Sequence, residues 1–277
     1  MDDKIIVTNR AALIAKYGAA GFTAIKKSVA ALVAADATRG IKSRLVLLDD
    51  ATAMKRYKGK PVTDSTNTRQ AKEAIDAIFR SADPDYLMIL GAPDVIPHGD
   101  MINPLFSSQD DDDKLALGDL PYACDTGFSR DIATFKGPNR VIGRLPDLTG
   151  ATDPKYLLKL LDVTAKQKSR KVTDYATYFG LSTHTWQKSS ALSLQNMFGN
   201  STRLTISPPN GPTHPAARLS PLSHFINCHG GPSDPSFLVK KVTRCLSLLP
   251  ANQLRERSNR ERSRQLSAVL APKCTTP

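Results

Sequence analysis

Ser223-His224-Phe225-Ile226-Asn227-Cys228-His229-Gly230-Gly231 is the stretch from which the rest of the chain is read. Phe225 and Ile226 form a short apolar run of the kind that makes a strand. The run ends at a histidine followed by two glycines, and Pro232 and Pro235 prolong the turn. An imidazole is thereby set at the carboxyl end of a strand, where open α/β sheets place their sites. Glycines at that point let the backbone approach a bound group and aim N–H groups at it. A single histidine at a strand end is also a common structural, hydrogen-bonded residue, so its role has to be judged from the surrounding chain.

Upstream, apolar strand-like runs alternate with segments of helical spacing. Lys4–Thr8 (KIIVT), Arg44–Leu48 (RLVLL) and Tyr86–Leu90 (YLMIL) read as strands. Between them lie a long helical segment over about 10–35, which Gly18 and Gly21 can break, and a helix through Arg80 capped by Asn67 or Thr68. Continuous apolar strands alternating with helices predict an α/β fold with a mostly parallel sheet covered by helices on both faces. A polar region follows, with the acidic run Gln109–Lys114, which lacks calcium-loop spacing. Beyond it, Arg140–Pro146 reads as an edge strand, and Asp153-Pro154 opens a helix through Val163. Asp174–Leu181 reads as a further strand, Ser189 or Ser190 starts a helix through Phe198, and Arg203–Ile206 is a short strand before a proline-rich loop.

The 277 residues suffice for a full core. No apolar run reaches the roughly 20 residues of a membrane span, and Met1-Asp2-Asp3-Lys4 lacks a signal-peptide layout. The expectation is a soluble cytoplasmic protein with no membrane partner. Cys124, Cys228, Cys245 and Cys274 show neither metal-ligand nor disulfide-framework spacing, and no cofactor or metal is expected. The net charge of +12 is uneven: residues 240–277 alone carry +7. A basic stretch of this kind attracts phosphates without sequence preference, but no nucleic-acid motif accompanies it, and a nucleic-acid partner is not expected.

Four segments together resemble gingipain-type cysteine peptidases, part of the caspase-like group. They are Tyr86–Pro97 (YLMILGAPDVIP), Asp119–Asp125 (DLPYACD), Asn139–Asp147 (NRVIGRLPD) with the Asp153–Leu161 helix, and Phe225–Gly231 (FINCHGG). The match is one of order and spacing over about residues 86–234, and GRLP and HGG are its most specific parts. The resemblance implies a caspase-like three-layer sandwich and peptide-bond hydrolysis by a His/Cys dyad, with a protein or peptide substrate. It implies His229 as general acid/base and Gly230 as a backbone donor to the oxyanion, with the nucleophilic cysteine at the end of the next strand. It also makes Asp119 and Asp125 candidates for orienting or substrate-facing carboxylates. His98 could line the cleft, His224 is expected to pack, and His184 and His214 are expected to face solvent.

The nucleophile itself is hard to place. Cys228 adjoins His229, so on a strand it points to the opposite face and reads as a core residue. Cys124 reads as structural. Cys245 follows His229 by only 16 positions, tight for a crossover and a strand. Cys274 is a weak candidate, because Pro272 precedes it and three residues follow. The domain reading is a caspase/gingipain-like body over 1–239, incomplete at its carboxyl end, and a basic, atypical segment over 240–277. As a helix, Asn252–Gln265 (NQLRERSNRERSRQ) would have one apolar residue, Leu254, and no face to bury. Codons for Arg260–Ser267 can be chosen so that a frame shifted by one nucleotide reads Pro-Gly-Thr-Val-Ala-Ala-Val-Glu and then Cys. The expectation is a frame change near Lys240-Lys241 that replaced the nucleophile strand. A catalytically dead, peptidase-like binding scaffold is the alternative.

Overall fold

The computed structural model describes the side chains of residues 2–107, 113–168, 170–207 and 213–228 and the backbone alone of 229–230, 236–241 and 244–250. The chain divides into two compact units, Met1–Gln167 and Lys168–Pro277. The sequence reading placed its boundary between 239 and 240. Lys240 and Lys241 belong to a strand that starts at Ser236, and residues 251–277 lie outside the described ones, as do Gln109–Asp112 of the acidic run.

In the first unit, β1 (Lys4–Thr8) leads into α1 (Arg10–Thr38), β2 (Ser43–Leu47), the short α2 (Ala51–Arg56), α3 (Thr68–Ala82) and β3 (Tyr86–Leu90). A hairpin of β4 (Gly99–Ile102) and β5 (Leu115–Gly118) precedes β6 (Ile142–Leu145) and α4 (Lys155–Ala165). The sheet runs β2-β1-β3-β6, parallel throughout, with β6 at an edge as its sequence suggested. Ile5, Ile6 and Val7 are successive residues with no exposed surface. Successive strand residues face opposite sides, so the sheet is covered on both faces. Each such side chain contributes about 1.5–3 kcal/mol relative to exposure.

Asn9 caps α1 by accepting from the Ala12 N–H, and Asn67 caps α3 by accepting from that of Gln70. Gly18 stands at φ 70° and ψ 171° inside α1, a conformation available to glycine, and it breaks the helix where the sequence placed a break. α1 is the one described helix long and apolar enough to cross a membrane. Its Leu13, Ile25, Val29 and Leu32 are at most 1% exposed in the core of this unit. That core explains their apolar character without a bilayer.

In the second unit, β7 (Tyr178–Thr183) is followed by α5 (Gln187–Phe198), β8 (Leu204–Ser207) and β9 (Ser223–Asn227). These strands form a parallel sheet in the order β8-β7-β9. β10 (His229–Gly230), β11 (Ser236–Lys241) and β12 (Arg244–Pro250) form a separate antiparallel sheet. β7 begins four residues later than the sequence suggested, because Val172–Tyr175 is taken up by a 3-10 turn.

Candidate active site

In the second unit the central strand comes first, its successor lies on one side, and the third strand lies on the other. The strand order therefore reverses between β7 and β9. The carboxyl ends at such a switch point flank the crevice where open α/β sheets bind ligands. Ser182 is in register with Asn227, so Thr183 ends β7 beside the place where the chain runs through Cys228 to His229 and Gly230. The backbone of these two residues then turns into the antiparallel sheet, His229 opposite Leu238 and Gly230 opposite Phe237. At the level of the backbone, His229 and Gly230 thus follow the end of β9 at Asn227 and form β10.

The two faces of the sheet differ in chemistry. Phe179, Leu181, Ile226 and Cys228 cluster with Leu219. His224 and His214 both set their rings edge-on to Phe179, at 5.4 and 5.1 Å between centroids. His224 packs as expected. His214 does not simply face solvent, for burial lowers its pKa and its Nε2 is buried without a partner. His184 is exposed. On the other face, Gly180 admits α5: a Cβ there would stand 3.1 Å from Leu194 and 3.2 Å from the Leu204 Cα.

At the carboxyl end of that face lies a chain of hydrogen bonds that sequence reading did not find. Ser182 Oγ donates to the Thr183 carbonyl at 3.0 Å, Ser182 and Ser190 hydroxyls are 2.7 Å apart, and Asn227 Nδ2 donates to Ser190 Oγ at 3.0 Å. Ser182 and Ser190 have no exposed surface. Serine at these positions carries no signal in one sequence; only the packing of α5 on β7 and β9 brings the three residues together.

Of the cysteines, Cys228 is 1% exposed, and burial pushes its thiol up to about 12. Cys124, in the first unit, is also 1% exposed, its pKa is raised by burial, and its Sγ donates to the Gly137 carbonyl at 3.5 Å. A thiolate is the reactive form, and burial disfavours it at both positions. At about pH 7.5, a thiol reagent followed by peptide mapping should leave both unmodified in the native protein and label both after denaturation. Rapid native modification of Cys228 would contradict its assignment to the core. Cys245 lies in β12 opposite Lys240, and Cys274 falls outside the described residues. Among the described residues no group of three His, Cys, Asp or Glu side chains could hold a metal ion.

The first unit holds the other segments of the resemblance and pins them with charges. Arg144 grips Asp119 through both guanidinium arms, at 2.8 and 2.6 Å, and donates to the carbonyls of Gly91 and Ile96. Asp147, fully buried at its carboxylate, is paired with Lys16 at 2.9 Å, takes the Tyr17 hydroxyl and receives the Ala92 N–H. GRLP-Asp, LGAP and DLPY are therefore locked to one another. Asp119 is held by this pairing, and Asp125 is exposed. Burial lowers the pKa of half-buried His98. An open, polar cavity of about 270 Å³ lies at the opposite, amino end of the second unit's strands, lined by Arg170, Asp174, Thr177, Arg203 and Ser220 to Leu222.

No protein-family model matches the chain, and no curated protein matches it. Among solved structures it is similar to the Arg-specific cysteine proteinase gingipain R, at 11% identity and a TM-score of 0.45, over 85% of this chain and 48% of that one. It is also similar to a structure described as a protease, at 15% identity and a TM-score of 0.48, over 99% of this chain and 52% of that one. The chain spans about half the length of each.

Proposed function

We propose that the chain is a cysteine-type peptidase domain of caspase-like architecture, acting on protein or peptide substrates, with His229 as general acid/base and Gly230 as an oxyanion donor. The observation that carries this reading is the position of the His229-Gly230 backbone, at the carboxyl end of β9 and beside the switch point with β7. The order of the motif segments upstream supports it. Among the described residues β9 pairs with β7 alone, so its outer edge is open to a further strand bearing the nucleophile. In the reaction, a thiolate sulfur attacks the scissile carbonyl and forms the C–S bond. The imidazolium gives its proton to the departing amine as the C–N bond breaks. Water then cleaves the thioester and returns a proton to the imidazole. Backbone N–H groups hold the oxyanion, each contributing about 3 kcal/mol.

A specific observation favours the dead-scaffold reading for the chain as encoded: the two cysteines whose side chains are described, Cys124 and Cys228, are buried, with raised pKa values. The deciding experiment is to read the nucleotides across codons 236–277 and to express the chain with the shifted frame restored. Labelling of its new Glu-Cys cysteine by a thiol-directed peptide probe supports the peptidase. A folded, restored chain that stays unlabelled leaves the scaffold.

A further inference from the structure

Residues 213–222 precede β9 and pack on one face of the second unit's sheet. Alternation puts Phe179, Leu181 and Thr183 on that face of β7, and the register adds Thr205 of β8 and His224 and Ile226 of β9. The segment forms neither helix nor strand, and its buried residues are Leu219 and Pro221. Leu219 joins Phe179, Leu181, Ile226 and Cys228, and His214 sets its ring against Phe179. Three polar atoms of the face and the segment are buried without partners: Thr183 Oγ1, Thr205 Oγ1 and His214 Nε2. Each has given up hydrogen bonds to water and gained none in return. Apolar contact holds the segment down, and these three atoms weigh against it.

We propose that residues 213–222 form a strap that acid releases from the sheet, with His214 as the group that takes up the proton. A neutral imidazole packs against Phe179 at little cost. An imidazolium there has lost its water and finds no acceptor at Nε2. The charge that acts on His214 is Arg218, four residues along the strap, and it repels a second cation. From β7 the ring meets Phe179, and from β9 His224 lies on the same Phe179. Asp174, the one acidic residue of this unit whose side chain is described, lines the cavity at the amino end of the strands and is not among the groups that act on His214. Burial and Arg218 hold the imidazole below its ordinary 6.5. The closed strap therefore binds fewer protons than the open one between 6.5 and that lowered value. Closure is insensitive to pH above this window and weakens as pH falls through it. Opening gives water to the three buried polar atoms and bares the apolar face of β7 and β9. The strap is independent of the peptidase reading.

The test uses the full chain and does not require activity. Ring signals of the five histidines are assigned with single His→Gln variants and titrated by NMR. His214 should titrate at lower pH than the exposed His184. Cys228, 1% exposed and clustered with Leu219, reports the opening. A dipyridyl disulfide, which reacts with thiols in mild acid, followed by peptide mapping gives its labelling rate. His214→Phe keeps a ring against Phe179 and takes up no proton. Dividing the wild-type rate by that of His214→Phe at the same pH removes the thiol's own pH dependence. The ratio should rise by up to about tenfold per pH unit below the ordinary histidine value, since each opening takes up one proton. Amides of β7, which is paired on both sides, should keep their protection from hydrogen exchange meanwhile. A ratio that stays flat from about pH 7 to about pH 5 overturns the proposal, and so does a His214 midpoint at or above that of His184. Loss of β7 protection in step with Cys228 labelling would mean that the unit unfolds as a whole, which also overturns it. If His214→Phe does not fold, His214→Leu serves as the reference, and if neither folds the wild-type titration of His214 decides.

Discussion

Replacing Asp76 with alanine should unfold the first unit under conditions in which the wild-type chain is intact. Asp76 is 2% exposed on α3 and receives Lys72 Nζ and Arg140 Nη1, each at 2.5 Å. Lys72 is itself 1% exposed, and it also donates to the Cys124 carbonyl at 2.9 Å. Arg140 lies over the Phe79 ring at 4.5 Å. Without the carboxylate, two cations remain in an apolar setting with no anion. Breaking a buried pair in this way costs about 3–5 kcal/mol, a large part of the roughly 5–15 kcal/mol that holds a domain folded. Lys72→Met should cost less. Burial lowers the Lys72 pKa, and this outweighs the attraction of Asp76, which acts to raise it. Burial and the nearby Arg140 charge thus weigh against the ammonium, while the carboxylate beside it favours it. The sign follows: between the lowered folded value and the ordinary 10.5 of free lysine, the unfolded chain binds more protons. Lys72 thus contributes a stability that rises with pH across that alkaline window, and Lys72→Met should remove this part of the slope. Urea midpoints by circular dichroism for the wild type and both variants measure all of this. An Asp76→Ala midpoint within about 1 kcal/mol of the wild type would mean that the cluster is reached by water.

The elements that sequence reading located most closely are those whose physics is local. β1 and β3 are continuous apolar runs of five, and their bounds are those of the sequence reading, Lys4–Thr8 and Tyr86–Leu90. Asn67 could be named as a cap because its preference for that position is intrinsic. The β4–β5 hairpin escaped notice: its strands have four residues each, and Ile102, Leu115 and Leu117 on its solvent side are apolar and exposed, so the expected alternation of apolar and polar is missing. The division at Gln167/Lys168 escaped for another reason. A polar stretch, Lys166-Gln167-Lys168, interrupts a strand–helix alternation that then resumes unchanged, and alternation alone does not say which strands share a sheet. The sequence reading also placed Cys228 in the core, where it is 1% exposed. Charge partners were illegible because they are distant in sequence: Asp147 meets Tyr17 and Ala92, and Arg140 meets Asp76, 64 residues away. These contacts arise from tertiary packing, which also pairs Asp119 with Arg144.

In a chain with the shifted frame restored, His229→Ala should slow labelling of the Glu-Cys thiol by roughly 10²–10⁴-fold near neutral pH, the usual contribution of a positioned acid/base. The pH dependence separates chemistry from misfolding. An imidazolium beside a cysteine lowers the thiol pKa, so the thiolate is already present well below the ordinary value of about 8.5. With His229 in place, labelling should be near its plateau by about pH 7. In the alanine variant the thiol returns to its ordinary range, and labelling should climb with pH through about 8.5. The two curves should therefore converge at alkaline pH, where the thiolate forms without help, and separate most at neutral pH. A variant that had merely lost its fold would show no such convergence, since it would lose the peptide-directed part of the labelling at every pH. Equal labelling of wild type and variant at neutral pH, with both folded, would remove His229 from the dyad. The strand-end position of His229-Gly230 would then be read as Gly-rich turn architecture at a sheet edge, and the scaffold reading would become the stronger one for this chain.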